Sequence, residues 1–119
     1  MYTSIVGYAR SPMTNESFRE KLRKALKDDS ECVESFLSIC YYHCGQYDST
    51  DDFAKLNETL TTLEMTQCHL FTTDITGKFA CQKNRLFYFA IPPSVFCPVS
   101  KCIHGMNINS FLMIRYMYW

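Results

Sequence analysis

The segment Arg85 to Phe96, Arg-Leu-Phe-Tyr-Phe-Ala-Ile-Pro-Pro-Ser-Val-Phe, constrains the fold more than any other part of the chain. From Leu86 to Ile91 the run of aromatic and aliphatic residues is unbroken, which reads as a strand buried on both faces of a parallel sheet. Pro92 and Pro93 cannot extend a sheet ladder, so the strand is expected to end at Ile91. A central strand that stops abruptly at its carboxyl end is where open α/β sheets place their ligands. A nucleotide-type crevice is therefore expected beside it.

The rest of the chain supplies the alternation that such a sheet needs. Ser4 to Ala9 is a short β-type run interrupted by Gly7, and Arg10-Ser11-Pro12 ends it. Thr14 is a good N-cap, and Phe18, Leu22, Ala25 and Leu26 share one face, which predicts an amphipathic helix over residues 15–27. A second helical pattern turns Val33, Phe36 and Leu37 inward, and Ile39 to His43 reads as a strand closed by Gly45. Ser49 can cap a third helix with a buried stripe of Phe53, Leu56, Leu60 and Leu63. Residues 65–83, polar and mixed with Gly77 inside, read as a surface loop. Ser94 to about Ile103 looks helical, with Pro98 expected to weaken or kink it, and a last strand is possible at Phe111 to Tyr118. The order predicts an α/β fold built on a parallel sheet.

Composition narrows the function classes. With 119 residues, 47% hydrophobic and 20% charged, the chain fits one small domain or a piece of a larger one. Twelve basic and twelve acidic residues cancel, so the basic excess of a general nucleic-acid binder is missing. The N-terminus lacks the pattern of a secretory signal, and the apolar end from Ser110 to Trp119 is too short to span a bilayer as a helix. No nucleic-acid or membrane partner is expected. Seven cysteines at uneven spacing read as reduced thiols.

Three clusters could carry chemistry. In Gly7-Tyr8-Ala9-Arg10-Ser11 an arginine follows a strand, where dinucleotide folds place the group that reads the ribose. A guanidinium there suits a 2′-phosphate through its planar fork, and Ser11 could add a hydroxyl donor; a solvated surface charge is the other reading of Arg10. His43-Cys44-Gly45-Gln46-Tyr47-Asp48 reads as a strand-ending turn, with Gly45 supplying unusual backbone angles and His43 given no catalytic role. Cys40, His43, Cys44, Cys97, Cys102 and His104 only loosely approach zinc-knuckle spacing, so no metal is expected. There is no glycine-rich phosphate loop, and the whole chain has four glycines.

Ile5 to Ser11, Tyr41 to Asp48 and Asn84 to Phe96, in this order and spacing, resemble glucose-6-phosphate dehydrogenase, specifically part of its N-terminal NADP-binding domain. The second and third segments look nearest to plant or algal plastid-type members. The resemblance implies a partial Rossmann-like parallel sheet with flanking helices, lacking the first βα unit, over residues 1–104. Residues 105–119 form a non-matching apolar tail. It implies NADP as cofactor, glucose 6-phosphate as substrate, a lactone product in the pentose phosphate pathway, and homo-oligomers for full-length members. Arg10 falls on the family arginine that holds the 2′-phosphate, with Ser11 beside it. Phe96 falls where many members carry a cofactor-contacting tyrosine. Cys32 and Cys40 suggest the redox pair of plastid enzymes but are spaced too closely, and both are read as structural.

The family's glycine turn, its Glu-Lys-Pro-Phe-Gly motif and its catalytic histidine have no counterpart here. No catalytic residue is therefore assigned, and a truncated, inactive form is expected, with unpaired sheet edges and exposed apolar faces. A non-catalytic NADP-binding module or a Cys/His interaction module is the alternative. A cytoplasmic or plastid location is expected.

Overall fold

The computed structural model describes residues 3–27, 30–68, 84–106 and 111–115. Two compact units divide the chain, residues Met1–Gln46 and Tyr47–Trp119.

The first unit is built on two parallel strands, β1 (Ile5–Ala9) and β2 (Cys40–Cys44), in the register Ile5 to Cys40 through Ala9 to Cys44. Two helices make the crossover, α1 (Asn15–Leu26) and α2 (Glu31–Ser38). Thr14 caps α1 as its position predicts: its backbone is extended and its hydroxyl accepts from Ser17 N at 3.1 Å. Lys27 closes the same helix in the left-handed region (φ 53°), its N–H on Arg23 O at 3.2 Å.

Gly7 does not break the strand. It sits in mid-β1 beneath Phe18, whose ring would lie 2.9 Å from any Cβ added there. The missing side chain lets α1 approach the ladder. Phe18 in turn meets Tyr42 of β2 with ring centroids 5.3 Å apart. Arg19 Nε donates to Cys40 O at 2.9 Å, and its guanidinium lies 5.3 Å from the Tyr41 ring centroid. Arg23 Nε and Nη2 donate to the two carboxylate oxygens of Glu34 at 2.9 and 3.1 Å, tying α1 to α2.

Two helix faces differ from the expectation. No residue of α1 is buried, and Ala25 and Leu26 are exposed; the helix meets the ladder through Phe18 and Arg19 and meets α2 through Arg23. On α2, Val33 and Leu37 are buried but Phe36 points outward. Burying Leu37 contributes roughly 2 kcal/mol. Cys40 is fully buried beside these residues, its thiol donating to Phe36 O at 3.3 Å. A buried strand position is what the apolar setting of Cys40 predicts.

The second unit begins with α3 (Thr50–Cys68), capped by Ser49, whose hydroxyl accepts from Asp52 N at 3.2 Å. The helix runs to Cys68, past the expected loop start at residue 65, and residues 69–83 of that loop lie outside the described part. Phe53 and Leu56 are buried, while Leu60 and Leu63 are partly covered.

β3 (Arg85–Phe89) and β4 (Phe111–Arg115) form a second parallel pair, from Arg85 with Phe111 to Phe89 with Arg115. The expected last strand is thus present over Phe111–Arg115, and residues 116–119 lie outside the described part. β3 stops at Phe89, two residues short of the expected end, and it is not buried on both faces. Phe89 is buried, yet Leu86 and Tyr88 on the opposite face are 59% and 57% exposed.

A 3-10 turn at Pro93–Val95 leads into α4 (Phe96–His104). Pro98 does not kink this helix, because it occupies the first turn, where its missing N–H would have had no partner. Val99, Cys102, Ile103 and Met106 complete the core of this unit with Phe53, Leu56 and Phe89. The observed class is the expected α/β arrangement, a mixed fold of parallel strand pairs with flanking helices.

Candidate functional site

Because β1 and β2 run parallel, both end at the same edge, and the turns that leave the two strands gather there. After β1 come Arg10 and Ser11, both exposed in the turn that leads to the positive end of α1. After β2 come Gly45 and Gln46. This carboxyl edge is the part of an α/β sheet that receives ligands.

β2 holds the turn at three points. The Tyr42 hydroxyl donates to Ser11 O at 2.5 Å, and the Cys44 thiol donates to Arg10 O at 3.2 Å. Tyr42 N donates to Asn15 Oδ1 at 2.8 Å, which fixes the first residue of α1 to the same strand. Gly45 N donates to Ala9 O at 3.0 Å, extending the ladder one step past the strands.

On the other face of the ladder, the cross-strand partners Tyr8 and His43 stack, with centroids 5.8 Å apart and planes 10° from parallel. The Tyr8 hydroxyl reaches over Gly45 to donate to Gln46 O at 2.6 Å. This path explains Gly45 differently from the sequence reading. Its φ does not lie in the left-handed region, but a Cβ there would collide with the Tyr8 hydroxyl and stand 2.7 Å from its Cζ. Close approach, rather than unusual backbone angles, requires the glycine.

The structure brings Arg10 and Ser11 together on one turn. Phe96 belongs to the second unit, where it opens α4 and its ring centroid lies 5.6 Å from that of Phe89. The candidate metal ligands take separate roles: Cys40 and Cys102 are core residues, Cys97 and His104 are exposed on α4, and Cys44 serves the Arg10 turn. Among the described residues no three His, Cys, Asp or Glu side chains converge in a way that could hold a metal ion. Cys32, Cys40, Cys44, Cys97 and Cys102 are free thiols. Burial pushes the Cys40 thiol up from its ordinary value, with the nearby Arg19 charge opposing, and burial together with the Asp48 charge raises Cys102.

Sequence reasoning did not link Tyr42, Cys44 or Asn15 to the Arg10 turn, although it had named Cys44 as a candidate metal ligand. Period-two alternation does put Tyr42 and Cys44 on one face of β2, but only the register with β1 shows that this face meets the Arg10 turn.

A donor set of one exposed arginine and one serine on a strand-ending turn suits a phosphate ester on a nucleotide ribose. Similarity to known proteins bears on the family of the chain as a whole. The family model described as "Glucose-6-phosphate dehydrogenase, NAD binding domain" matches residues 1–115, which extends beyond Gly105 to the end of β4. A glucose-6-phosphate 1-dehydrogenase of Dictyostelium discoideum is 38% identical over 107 residues, covering 90% of this chain and 20% of that protein. A chloroplastic glucose-6-phosphate 1-dehydrogenase of Arabidopsis thaliana is 39% identical over 106 residues, covering 83% of this chain and 16% of that protein. A cytoplasmic one from the same plant is 37% identical over 112 residues, with 88% and 20% covered.

The solved structure of a glucose-6-phosphate dehydrogenase in complex with its substrate glucose 6-phosphate superposes with a TM-score of 0.72 at 31% identity, over 94% of this chain and 22% of that one. The chain thus spans about a fifth of the length of the relatives it matches. Relatives occur in both chloroplast and cytoplasm, and among the described residues no helix is long and apolar enough to cross a membrane. By the match over residues 1–115 and these identities, the chain belongs to the glucose-6-phosphate dehydrogenase family, and the stretch it shares with that family is the NAD-binding domain.

Proposed function

We propose that this chain supplies the NADP-selecting part of a glucose-6-phosphate dehydrogenase, with Arg10 and Ser11 receiving the cofactor's 2′-phosphate. In that role the whole protein moves a hydride from C1 of glucose 6-phosphate to NADP and yields a lactone. The observation that carries the reading is the placement of Arg10. It follows β1 directly, at the carboxyl edge of a parallel pair, on a turn that Tyr42 and Cys44 fix from the neighbouring strand. A guanidinium so placed can take a phosphate in a bidentate, charge-assisted grip.

Hydride transfer needs the sugar and the nicotinamide held in contact with a base in reach, and no residue of this chain is assigned to that task. The chain alone is therefore expected to bind NADP without turning it over. A thermal melt tests the binding reading. NADP should raise the melting temperature of the 119-residue chain, NAD should not, and Arg10→Ala should erase the difference. Equal stabilisation by NADP and NAD, or an NADP effect that survives Arg10→Ala, overturns it. In parallel, NADPH formation from glucose 6-phosphate by the purified chain would overturn the expectation of no turnover.

A further inference from the structure

We propose that Tyr42 and Cys44 are positioning residues that sort the polar groups of the Arg10–Ser11 turn, and thereby set its selectivity for a 2′-phosphate over a 2′-hydroxyl. The inference rests on the assignment of Arg10 and Ser11 to that phosphate and adds the reason why the turn discriminates.

A turn has both donors and acceptors, and a phosphate wants only the donors. Phosphate oxygens accept hydrogen bonds and carry negative charge, so backbone carbonyls aimed at them repel; a ribose hydroxyl can donate to a carbonyl and is indifferent to that arrangement. Here both carbonyls of the turn are already engaged by β2: Arg10 O by the Cys44 thiol at 3.2 Å, and Ser11 O by the Tyr42 hydroxyl at 2.5 Å. The described peptide bonds are trans, so N–H and C=O of each peptide point in opposite directions. With Arg10 O drawn toward Cys44, the N–H of Ser11 is directed away from β2. The next residue, Pro12, has no N–H to place. The turn therefore gives its acceptors to β2 and turns the Ser11 N–H outward, on the same turn as the exposed Arg10 side chain.

The clamp is set before any ligand arrives. Tyr42 is fixed by its backbone bond to Asn15 Oδ1 at 2.8 Å and by its ring beside Phe18, 5.3 Å between centroids. Tyr42→Phe would keep the ring and remove only the hydroxyl, freeing Ser11 O to turn outward. Cys44→Ala would do the same for Arg10 O.

The test is calorimetric titration of the 119-residue chain with adenosine 2′,5′-bisphosphate and with adenosine 5′-monophosphate, reading the ratio of the two affinities. The unsubstituted chain should prefer the bisphosphate, and Arg10→Ala should abolish the preference. Tyr42→Phe should cut the preference about fivefold, the effect of one hydrogen bond. Tyr41→Phe, on the same strand but away from the turn, should leave the ratio alone. Should Tyr42→Phe lower the melting temperature, Cys44→Ala carries the test, with Cys44→Ser restoring the ratio.

If Arg10→Ala abolishes the preference while Tyr42→Phe and Cys44→Ala leave the ratio unchanged, the inference is overturned and the Arg10 assignment stands. Equal weakening of both nucleotides by those variants, with the ratio constant, is a structural effect and also overturns it. A preference that survives Arg10→Ala, or none in the unsubstituted chain, overturns the assignment and the inference with it.

Discussion

Arg85, the first residue of β3, lies against Glu64 of α3 in a two-pronged contact, Nε to Oε1 at 2.6 Å and Nη2 to Oε2 at 2.9 Å. The two side chains are 9% and 19% exposed, and Asn57 Oδ1 and Thr61 Oγ1 take further guanidinium donors at 2.6 and 3.2 Å. Asn57, Thr61 and Glu64 recur at helical spacing, so one face of α3 is a polar cradle for a single strand residue. Removing the carboxylate would leave a covered charge with only neutral partners. Glu64→Ala is expected to cost about 3 kcal/mol in urea unfolding, and Arg85→Met somewhat less, because the carboxylate it strands is the more exposed partner of the pair, 19% against 9%. Costs below about 1 kcal/mol for both variants would show that the pair is merely a surface contact.

Gly45 gives a sharper steric test. Gly45→Ala must displace the Tyr8 ring and break its bond to Gln46 O, so a loss of about 1–3 kcal/mol is expected. In a Tyr8→Val background the same change should cost little, since the ring that blocks the methyl group is gone. Denaturant midpoints for the four proteins of this cycle give the coupling directly. No coupling would mean that the ring is not the obstacle.

The Arg23–Glu34 tie between α1 and α2 should make stability depend on acid. The hydrogen bonds from Arg23 hold the Glu34 carboxyl below its ordinary value of 4.5, and Glu34 with Glu20 raises Arg23. A depressed carboxyl stabilises the fold fully above its unfolded pKa and loses that contribution as pH falls through the folded value. Glu34→Gln should therefore lower the melting temperature at neutral pH, with the difference shrinking as pH falls below the unfolded carboxyl value, and with a smaller effect in high salt because the pair is half exposed. A difference that persists undiminished in acid would assign it to some other property of residue 34.

Five thiols among the described residues should separate into two classes. Cys32, Cys44 and Cys97 are exposed, whereas Cys40 and Cys102 are buried with thiols pushed up. A short pulse of maleimide at neutral pH, read by peptide mass spectrometry, should label the first three and spare the other two until denaturant is added. Raised thiols also carry a stability consequence: it is absent below the ordinary thiol value and appears as a loss of stability when pH rises beyond it, since the unfolded chain ionises first. Labelling of Cys40 as fast as Cys44 would contradict its burial.

Local chemistry was legible in the sequence wherever a residue acts on its own neighbourhood. Thr14 and Ser49 cap the helices they precede, and Cys40 is the buried strand residue its setting implied. The order of strands and helices was legible for the same reason. What the sequence hid depends on which elements meet. The apolar run of β3 cannot say whether a second layer covers Leu86 and Tyr88, and here they are exposed. Pro98 reads as a breaker until its distance from the helix start is known. At the candidate site, Arg10 was visible from its strand-ending position, but its holders Tyr42 and Cys44 were not. Their roles arise from a register between strands far apart in sequence.

That register also governs how the chain reaches its fold. Ile5 pairs with Cys40 and Arg85 with Phe111, so no rung of either ladder joins near neighbours in the sequence. Neither pair has a hairpin turn to start it. Each must wait until the intervening chain has brought its ends together, and the first rung meets the whole loop-closure entropy before any later rung returns it. Refolding should accordingly be slow for a chain of this size, with helix signals recovering well before the environment of Tyr8 and Tyr42 becomes native.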